Sequence, residues 1–334
     1  MEILVTGGAG YIGSHTCLEL LRAGHQIVIV DNFATSTVHN YKVLQEKYPA
    51  ALQLESGDLC DEEFVERVFQ KYSIKTVIHF AAYKSVGESV REPLKYYENN
   101  IGCTLSLLKT MKRHHVHNLI FSSSAAVYGE PQYLPIDEKH PCNPQSPYGK
   151  TKYFIEEILK DVASSDPAFQ CVLLRYFNPV GTDLSGILRE NTKGTPENLM
   201  PYMVKVVHNN IREDDEDYDH LNVYGTDYDT KDGTGVRDYI HVSDLALGHL
   251  SALKLFEKED DENVHTYNLG TGTGYSVWEM VQAMNKASGK RITMAFAKRR
   301  PGDVAVCYAD ATKAYEEMGW KATYDLEMMC KTSL

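Results

Sequence analysis

Ile3-Leu4-Val5-Thr6-Gly7-Gly8-Ala9-Gly10-Tyr11-Ile12-Gly13, followed by Ile27-Val28-Ile29-Val30-Asp31, decides the fold of this chain. Ile3 to Val5 form a short apolar strand that Thr6 closes, and the glycines follow at once. Leu18, Leu20 and Leu21 then recur at helical spacing as far as Gly24, and a second apolar strand ends on Asp31. Strand, glycine turn, helix, strand and terminal acid make one βαβ unit. Gly8, Gly10 and Gly13 fit G-x-G-x-x-G, while Gly7, Gly10 and Gly13 fit a G-x-x-G-x-x-G variant. Small residues here let the backbone approach a pyrophosphate, and the helix N-terminus offers the phosphates its free N–H groups. Asp31 is placed to accept hydrogen bonds from the adenosine ribose, and its carboxylate repels a 2′-phosphate, which favours NAD over NADP. A glycine pattern alone would equally be a flexible loop; the strands on either side argue for the cradle.

The 334 residues suggest about two domains, or one with a substantial annex. A net charge of −12 argues against nucleic acid or an anionic membrane surface as a partner. A small anionic ligand in a locally basic pocket stays open. No apolar run reaches the length of a membrane span, and a strand starting at residue 2 leaves no room for a leader. Seven cysteines without a C-x-x-C fit reduced thiols and a cytoplasmic location. His114, His115 and His117 suggest either a metal site or, better, positive side chains closing a helix.

Beyond Asp31 strand and helix keep alternating. Strands are expected over Ala51–Leu54, Thr76–Phe80, Asn118–Phe121 and Cys171–Arg175, with Asp61 capping a helix through Phe69. A long helical pattern runs from Glu88 to Met111, Pro131 to Pro147 reads as loop, and Tyr148 to Val162 as helix. This is an α/β chain with a Rossmann-type, doubly wound parallel sheet over residues 1–178. Residues 179–334 read as a smaller mixed α/β annex for substrate, some later segments returning to the first domain. Its helices are expected near Leu199–Val207, Ser243–Phe256 and Val277–Ala287, its strands near Leu221–Tyr224, Thr266–Leu269 and Ile292–Phe296. The annex should sit over the C-terminal edge of the sheet. The acidic run 212–217 reads as a solvated loop.

Ser122-Ser123-Ser124 ends the fifth strand, and Tyr148 and Lys152 stand one turn apart on the next helix. A nearby ammonium stabilises a phenolate and lowers the tyrosine's pKa. Ser124 can hydrogen-bond the same substrate oxygen. Such a group can take a hydroxyl proton while hydride leaves the same carbon for a nicotinamide. The Tyr-x-x-x-Lys spacing is common on solvated helices, and its context after the βαβ unit gives it weight.

The chain resembles the extended short-chain dehydrogenases/reductases and, among them, the epimerases that act on carbon 4 of UDP-hexoses. The matching segments include Gly7 to His15, Asp31-Asn32, Gly57-Asp58-Leu59, Phe80 to Ser89, Ser122 to Gly129, Ser146 to Lys152, Arg175 to Pro179, Asp232 to Val242 and Tyr267 to Val277. The resemblance implies reversible exchange of UDP-galactose and UDP-glucose through a 4-keto sugar, with NAD tightly bound and regenerated each turnover. It implies that Gly7, Gly10, Tyr11, Ile12 and Gly13 cradle NAD, and that Asp31, Asn32, Asp58, Leu59 and Lys84 hold its two halves. Phe80, Ala81, Asn99 and Ser122 would line its path, with Tyr176 beside the nicotinamide. Tyr148 would be the base, Lys152 its activator and Ser124 its hydrogen-bonding partner, all three near cofactor or sugar.

For the UDP-hexose the same pattern points to Lys84, Asn178, Asn198 and Leu199, then Asn222, Tyr224, Arg237, Arg300 and Asp303. Two arginines suit a pyrophosphate, although Arg299-Arg300 alone would read as a surface pair. The resemblance also makes Cys307 a gate beside the sugar, small enough to admit the N-acetyl group of UDP-N-acetylglucosamine and UDP-N-acetylgalactosamine; a buried, packed cysteine is the plainer reading. No metal is implied. A homodimer is expected through the helix after Glu88 and the helix carrying Tyr148. Three departures stand out: Glu197 replaces an asparagine, His208 to His220 is long and acidic, and the chain stops at Leu334. The rival readings are a sugar-nucleotide dehydratase, a uronate epimerase, a simple NAD-dependent dehydrogenase and a non-catalytic NAD-sensing module. Ser124-Ala125-Ala126, where a dehydratase carries acids, weakens the first.

Overall fold

The computed structural model describes residues 1–190, 196, 198–208, 218–258, 262–300 and 302–334. Its main sheet contains β1 (Glu2–Thr6), β2 (Gln26–Asp31), β3 (Leu52–Ser56), β4 (Thr76–His79), β5 (Asn118–Ser124), β6 (Gln170–Tyr176) and β7 (Val264–Leu269). All pairs are parallel, in the order β7-β6-β5-β4-β1-β2-β3. β1 is thus flanked by β2 and β4, the reversal point where open α/β sheets bind ligands. β7 is a correction: Thr266–Leu269 was expected in the annex but extends the main sheet beside β6. A short run buried on both faces carries no sign of the sheet to which it belongs.

Each sheet face has its own core. Cys17 and Leu18 of the helix Tyr11–Arg22 join Leu245 and Leu253 of the helix Val242–Leu253 on one face. On the other, Val65, Leu107 and Ile155 come from the helices Glu62–Lys71, Gly102–Arg113 and Pro147–Ser165. The helix Val242–Leu253, foreseen in the annex, therefore packs on the main sheet. Asp61 caps its helix, accepting from the N–H groups of Glu63 and Phe64. The pattern from Glu88 to Met111 is not one helix: Val86–Arg91 ends at Glu92, Pro93–Tyr96 restarts, and a π turn over Tyr97–Ile101 leads into Gly102–Arg113. Pro93 offers no N–H, which breaks the hydrogen-bond ladder that the side-chain period suggested.

The annex holds the strands Asn178–Val180, Val236–His241, Gly274–Ser276 and Val306–Cys307 in one small sheet, and Leu221–Tyr224 beside Met294–Ala297 in another. A third core of Met200, Met203, Met280, Met284 and Met329 joins the helices Leu199–His208, Val277–Ser288 and Leu326–Ser333. Glu197 and the acidic run 212–217 lie outside the described residues. Among the described residues no helix is long and apolar enough to cross a membrane, and no cluster of His, Cys, Asp and Glu is fit to hold a metal. His114 closes the helix Gly102–Arg113, its ring 2.7 Å from Glu66 Oε1.

Candidate active site

β1 passes into its helix through a turn that only glycine fits. Gly7 has φ +68°, and a Cβ there would meet the Ala81 nitrogen at 2.8 Å. A Cβ on Gly13 would lie 2.4 Å from the Gly7 carbonyl oxygen. The helix Tyr11–Arg22 begins without a side-chain cap, so its first amides face the concavity unblocked. Asp31, at the end of β2, is buried against this turn. Its carboxylate accepts from the Ala9 N–H at 3.0 Å, the Phe33 N–H at 2.9 Å and Ser36 Oγ at 2.9 Å. Asn32 Nδ2 donates to Asp58 Oδ2 at 3.0 Å, bringing the exits of β2 and β3 together. A narrow glycine cradle ending on a carboxylate fits NAD.

The remaining cofactor candidates follow the same sheet edge. Phe80 and Ala81 leave β4, Asn99 sits in the π turn and donates to Asn100 Oδ1 at 3.0 Å, and Lys84 pairs with Glu190 at 3.5 Å. Leu59 differs in kind. Its side chain is buried in the core with Val28 and Val65, so only its backbone can face a ligand. The Tyr11 hydroxyl donates to the Gly181 carbonyl, and Asp183 N–H donates to His15 Nε2 at 3.1 Å, fastening the cradle helix to the first annex loop.

Ser122 and Ser124 end β5 next to the helix Pro147–Ser165, which Ser146 caps through the Gly149 N–H at 3.1 Å. Tyr148 hydrogen-bonds Ser124, and burial pushes its phenol above the ordinary tyrosine range while that bond pulls it down. The Lys152 ammonium is buried, lies over the Phe121 ring at 4.8 Å and donates to the Ser122 carbonyl at 2.6 Å. Burial brings its pKa down to about 8. In this structure Lys152 thus rests on the Ser122 carbonyl. The Tyr176 hydroxyl hydrogen-bonds His249 Nε2.

In the annex, Asn222 and Tyr224 share the half-buried side of Leu221–Tyr224, whereas Leu221 and Val223 face the core. The Arg300 guanidinium stacks on Tyr224 at 3.9 Å. Arg237 and Cys307 are register partners on adjacent strands, and Arg237 and Asp303 both influence Tyr228 and Tyr239. Arg299 turns elsewhere, onto Asp227 at 2.8 Å and the Tyr228 ring. Asn178 opens the strand after β6, and Asn198 and Leu199 begin the helix Leu199–His208. Cys307 is half-buried against Phe177 and Ala309, and burial pushes its thiol up to about 11.

Sequence reading missed Glu156, Arg175 and His249, all buried behind these groups. Signals existed. Glu156 stands one turn past Lys152, and Arg175 follows the apolar run Cys171–Leu174 near the end of β6.

This fold, with a glycine cradle and a Ser–Tyr–Lys cluster at the strand ends, is that of the extended short-chain dehydrogenases/reductases. Residues 4–333 match the family model described as GDP-mannose 4,6 dehydratase. UDP-glucose 4-epimerase of Mus musculus is 51% identical over 337 residues, covering 99% of this chain and 94% of the relative. That of Bacillus subtilis is 50% identical, covering 100% and 96%. A crystal structure of UDP-glucose 4-epimerase from Bifidobacterium longum, in complex with NAD+ and UDP, superimposes with a TM-score of 0.94 at 49% identity, covering 100% of this chain and 97% of that one. The chain belongs to the UDP-glucose 4-epimerase family.

Proposed function

We propose that this chain interconverts UDP-galactose and UDP-glucose by inverting carbon 4 of the sugar through a 4-keto intermediate. The observation that supports the reading is Tyr148 bonded to Ser124 at the end of β5 and one turn from Lys152, in the same parallel sheet whose β1 leads into the glycine turn. Tyr148 Oη takes the proton of the 4-hydroxyl and later returns it to the 4-keto oxygen. Ser124 holds the same sugar oxygen, and Lys152, moving between the Ser122 carbonyl and the phenol, supplies the counter-charge. NAD, when bound along Gly7 to Gly13 and Asp31, supplies the acceptor and then the donor of the carbon-4 hydride. Arg237 and Arg300 grip the pyrophosphate and leave the sugar free to present either face.

The small Cys307 side chain supports acceptance of N-acetylated UDP-hexosamines as well. A homodimer is supported by the exposed apolar residues Val90, Leu94 and Phe154 on the helices named for it. Seven free cysteines favour a reducing, cytoplasmic setting. On this reading the chain divides into a cofactor unit (1–178 with returning segments) and a unit that is mainly for UDP-sugar (179–334).

Proton NMR of the purified protein with UDP-galactose, without added NAD, tests the reading. The anomeric signal of UDP-glucose should grow to an equilibrium mixture. A 4-keto-6-deoxy product would indicate the dehydratase instead. No change with or without added NAD would overturn the proposal.

A further inference from the structure

Three consecutive serines at the end of β5 engage three successive turns of one helix. Ser124 hydrogen-bonds Tyr148, the Ser122 carbonyl accepts from Lys152 Nζ at 2.6 Å, and Ser123 Oγ donates to Glu156 Oε1 at 2.5 Å. Residues 148, 152 and 156 share one helix face. Glu156 is fully buried and held by Arg175, whose Nε reaches Oε1 at 3.0 Å and Nη2 reaches Oε2 at 2.6 Å. Arg175 Nη1 donates to the Tyr128 hydroxyl at 2.9 Å, which donates to Asn268 Oδ1 at 2.7 Å. Ser123, Arg175 and Asn268 are register partners on β5, β6 and β7, so one rung of the sheet holds this carboxylate. A buried ion pair does little for stability by itself. A fully satisfied one fixes geometry.

We propose that Glu156 is a positioning residue for the epimerase reaction: by joining Ser123 to Arg175 it sets the turn of helix on which Tyr148 and Lys152 stand. The inference rests on reading Tyr148 and Lys152 as the catalytic pair. The charged and titratable groups facing Lys152 are Glu156 on its own helix, Cys103 from Gly102–Arg113 and His79 from β4. Cys103 and then Glu156 favour the charged ammonium against the larger effect of burial; burial pushes the Cys103 thiol itself up to about 12, which leaves the Glu156 carboxylate as the anion of the two. A misplaced helix turn therefore alters proton chemistry as well as packing.

The test uses Glu156→Gln and the milder Ser123→Ala, each as the NAD-loaded full chain. For Glu156→Gln, kcat on UDP-galactose should fall about tenfold or more with KM nearly unchanged. The falling, high-pH limb of kcat should move to lower pH, because Lys152 loses its anionic neighbour, while the rising limb set by Tyr148 moves to higher pH. Ser123→Ala should lower kcat by a smaller factor without that pH shift. A second readout needs no turnover: ultraviolet absorbance titration of Tyr148, obtained by subtracting Tyr148→Phe, should move to higher pH in Glu156→Gln. Should the wild type fail to convert UDP-galactose, the epimerase reading falls, and the absorbance titration alone decides this inference. Unchanged kcat and an unmoved titration, or a loss seen only as lowered Tm, overturn it.

Discussion

The Tyr176 hydroxyl meets Nε2 of His249 in the interior, and the other ring nitrogen, Nδ1, lies 2.9 Å from the Leu245 carbonyl. The carbonyl can only accept, so Nδ1 carries the proton and Nε2 accepts from the tyrosine. Burial brings this histidine's pKa down to about 4, and Phe80 packs against it at 4.9 Å between ring centroids. Tyr176 thus has one orientation.

Tyr176→Phe leaves that buried acceptor without a donor. Urea denaturation should show a loss of about 1–3 kcal/mol, while the NAD recovered with the protein stays near one per chain if the ring alone touches the nicotinamide.

Four buried histidines tie stability to pH. Burial pushes His15, His241 and His249 to about 4 and His79 to about 3, from 6.5. Between those values the unfolded chain binds more protons, so their contribution is present above 6.5 and is lost as pH falls toward 4. By pH 5 each forfeits about 2 kcal/mol at most. Thermal melts should show Tm falling steeply from pH 7 to pH 5. A flat Tm over that interval would show that these rings are protonated in the native state.

Gly13→Ala places a methyl group where the Gly7 carbonyl already stands. The protein should purify largely without NAD and bind it about tenfold or more weakly in calorimetry. Full NAD occupancy in that variant would refute the cradle.

Asp238 and Arg237 follow one another on the strand Val236–His241 and serve opposite sides of it. The Asp238 carboxylate is buried and accepts from the Thr271 N–H and hydroxyl, the Gly272 N–H and the Ala309 N–H, at 2.6–3.1 Å. It ties the strand of Arg237 to the chain just beyond Cys307. Asp238→Asn turns an amide NH2 toward those donors. Calorimetric UDP affinity should weaken by about 1.5–3 kcal/mol, with kcat changing less.

Cys307→Tyr should abolish NMR-detected conversion of UDP-N-acetylgalactosamine and spare UDP-galactose. Equal loss of both substrates would show that Cys307 is packing and no gate.

The glycine turn and the helix that carries Tyr148 and Lys152 were legible because their signals are local. Glycine positions, an apolar run, a cap and an i, i+4 pair each lie within a few residues. Long-range facts were not. Nothing near Thr266 announces that it pairs with Leu173, and the period of Glu88–Met111 hid the interruption at Pro93. Lys152 was legible as a cation beside Tyr148. Its rest on the Ser122 carbonyl depends on how closely strand and helix approach, which side-chain spacing does not encode. Glu156 and Arg175 were each visible as odd charges, but only the sheet register makes them a pair.

The main sheet and the annex are interleaved along the chain. After β6 the chain builds Asn178–Val180 in the annex, returns with Val242–Leu253 and β7 to the main sheet, and leaves again for Gly274–Ser276. It comes back with Ala314 and Trp320 in the first core and finishes at Met329 and Cys330 in the third. No single cut separates one half from the other. A new sugar specificity therefore cannot be acquired by exchanging a contiguous cassette, as in modular enzymes; it has to arise by changing single side chains within a body whose halves are interwoven.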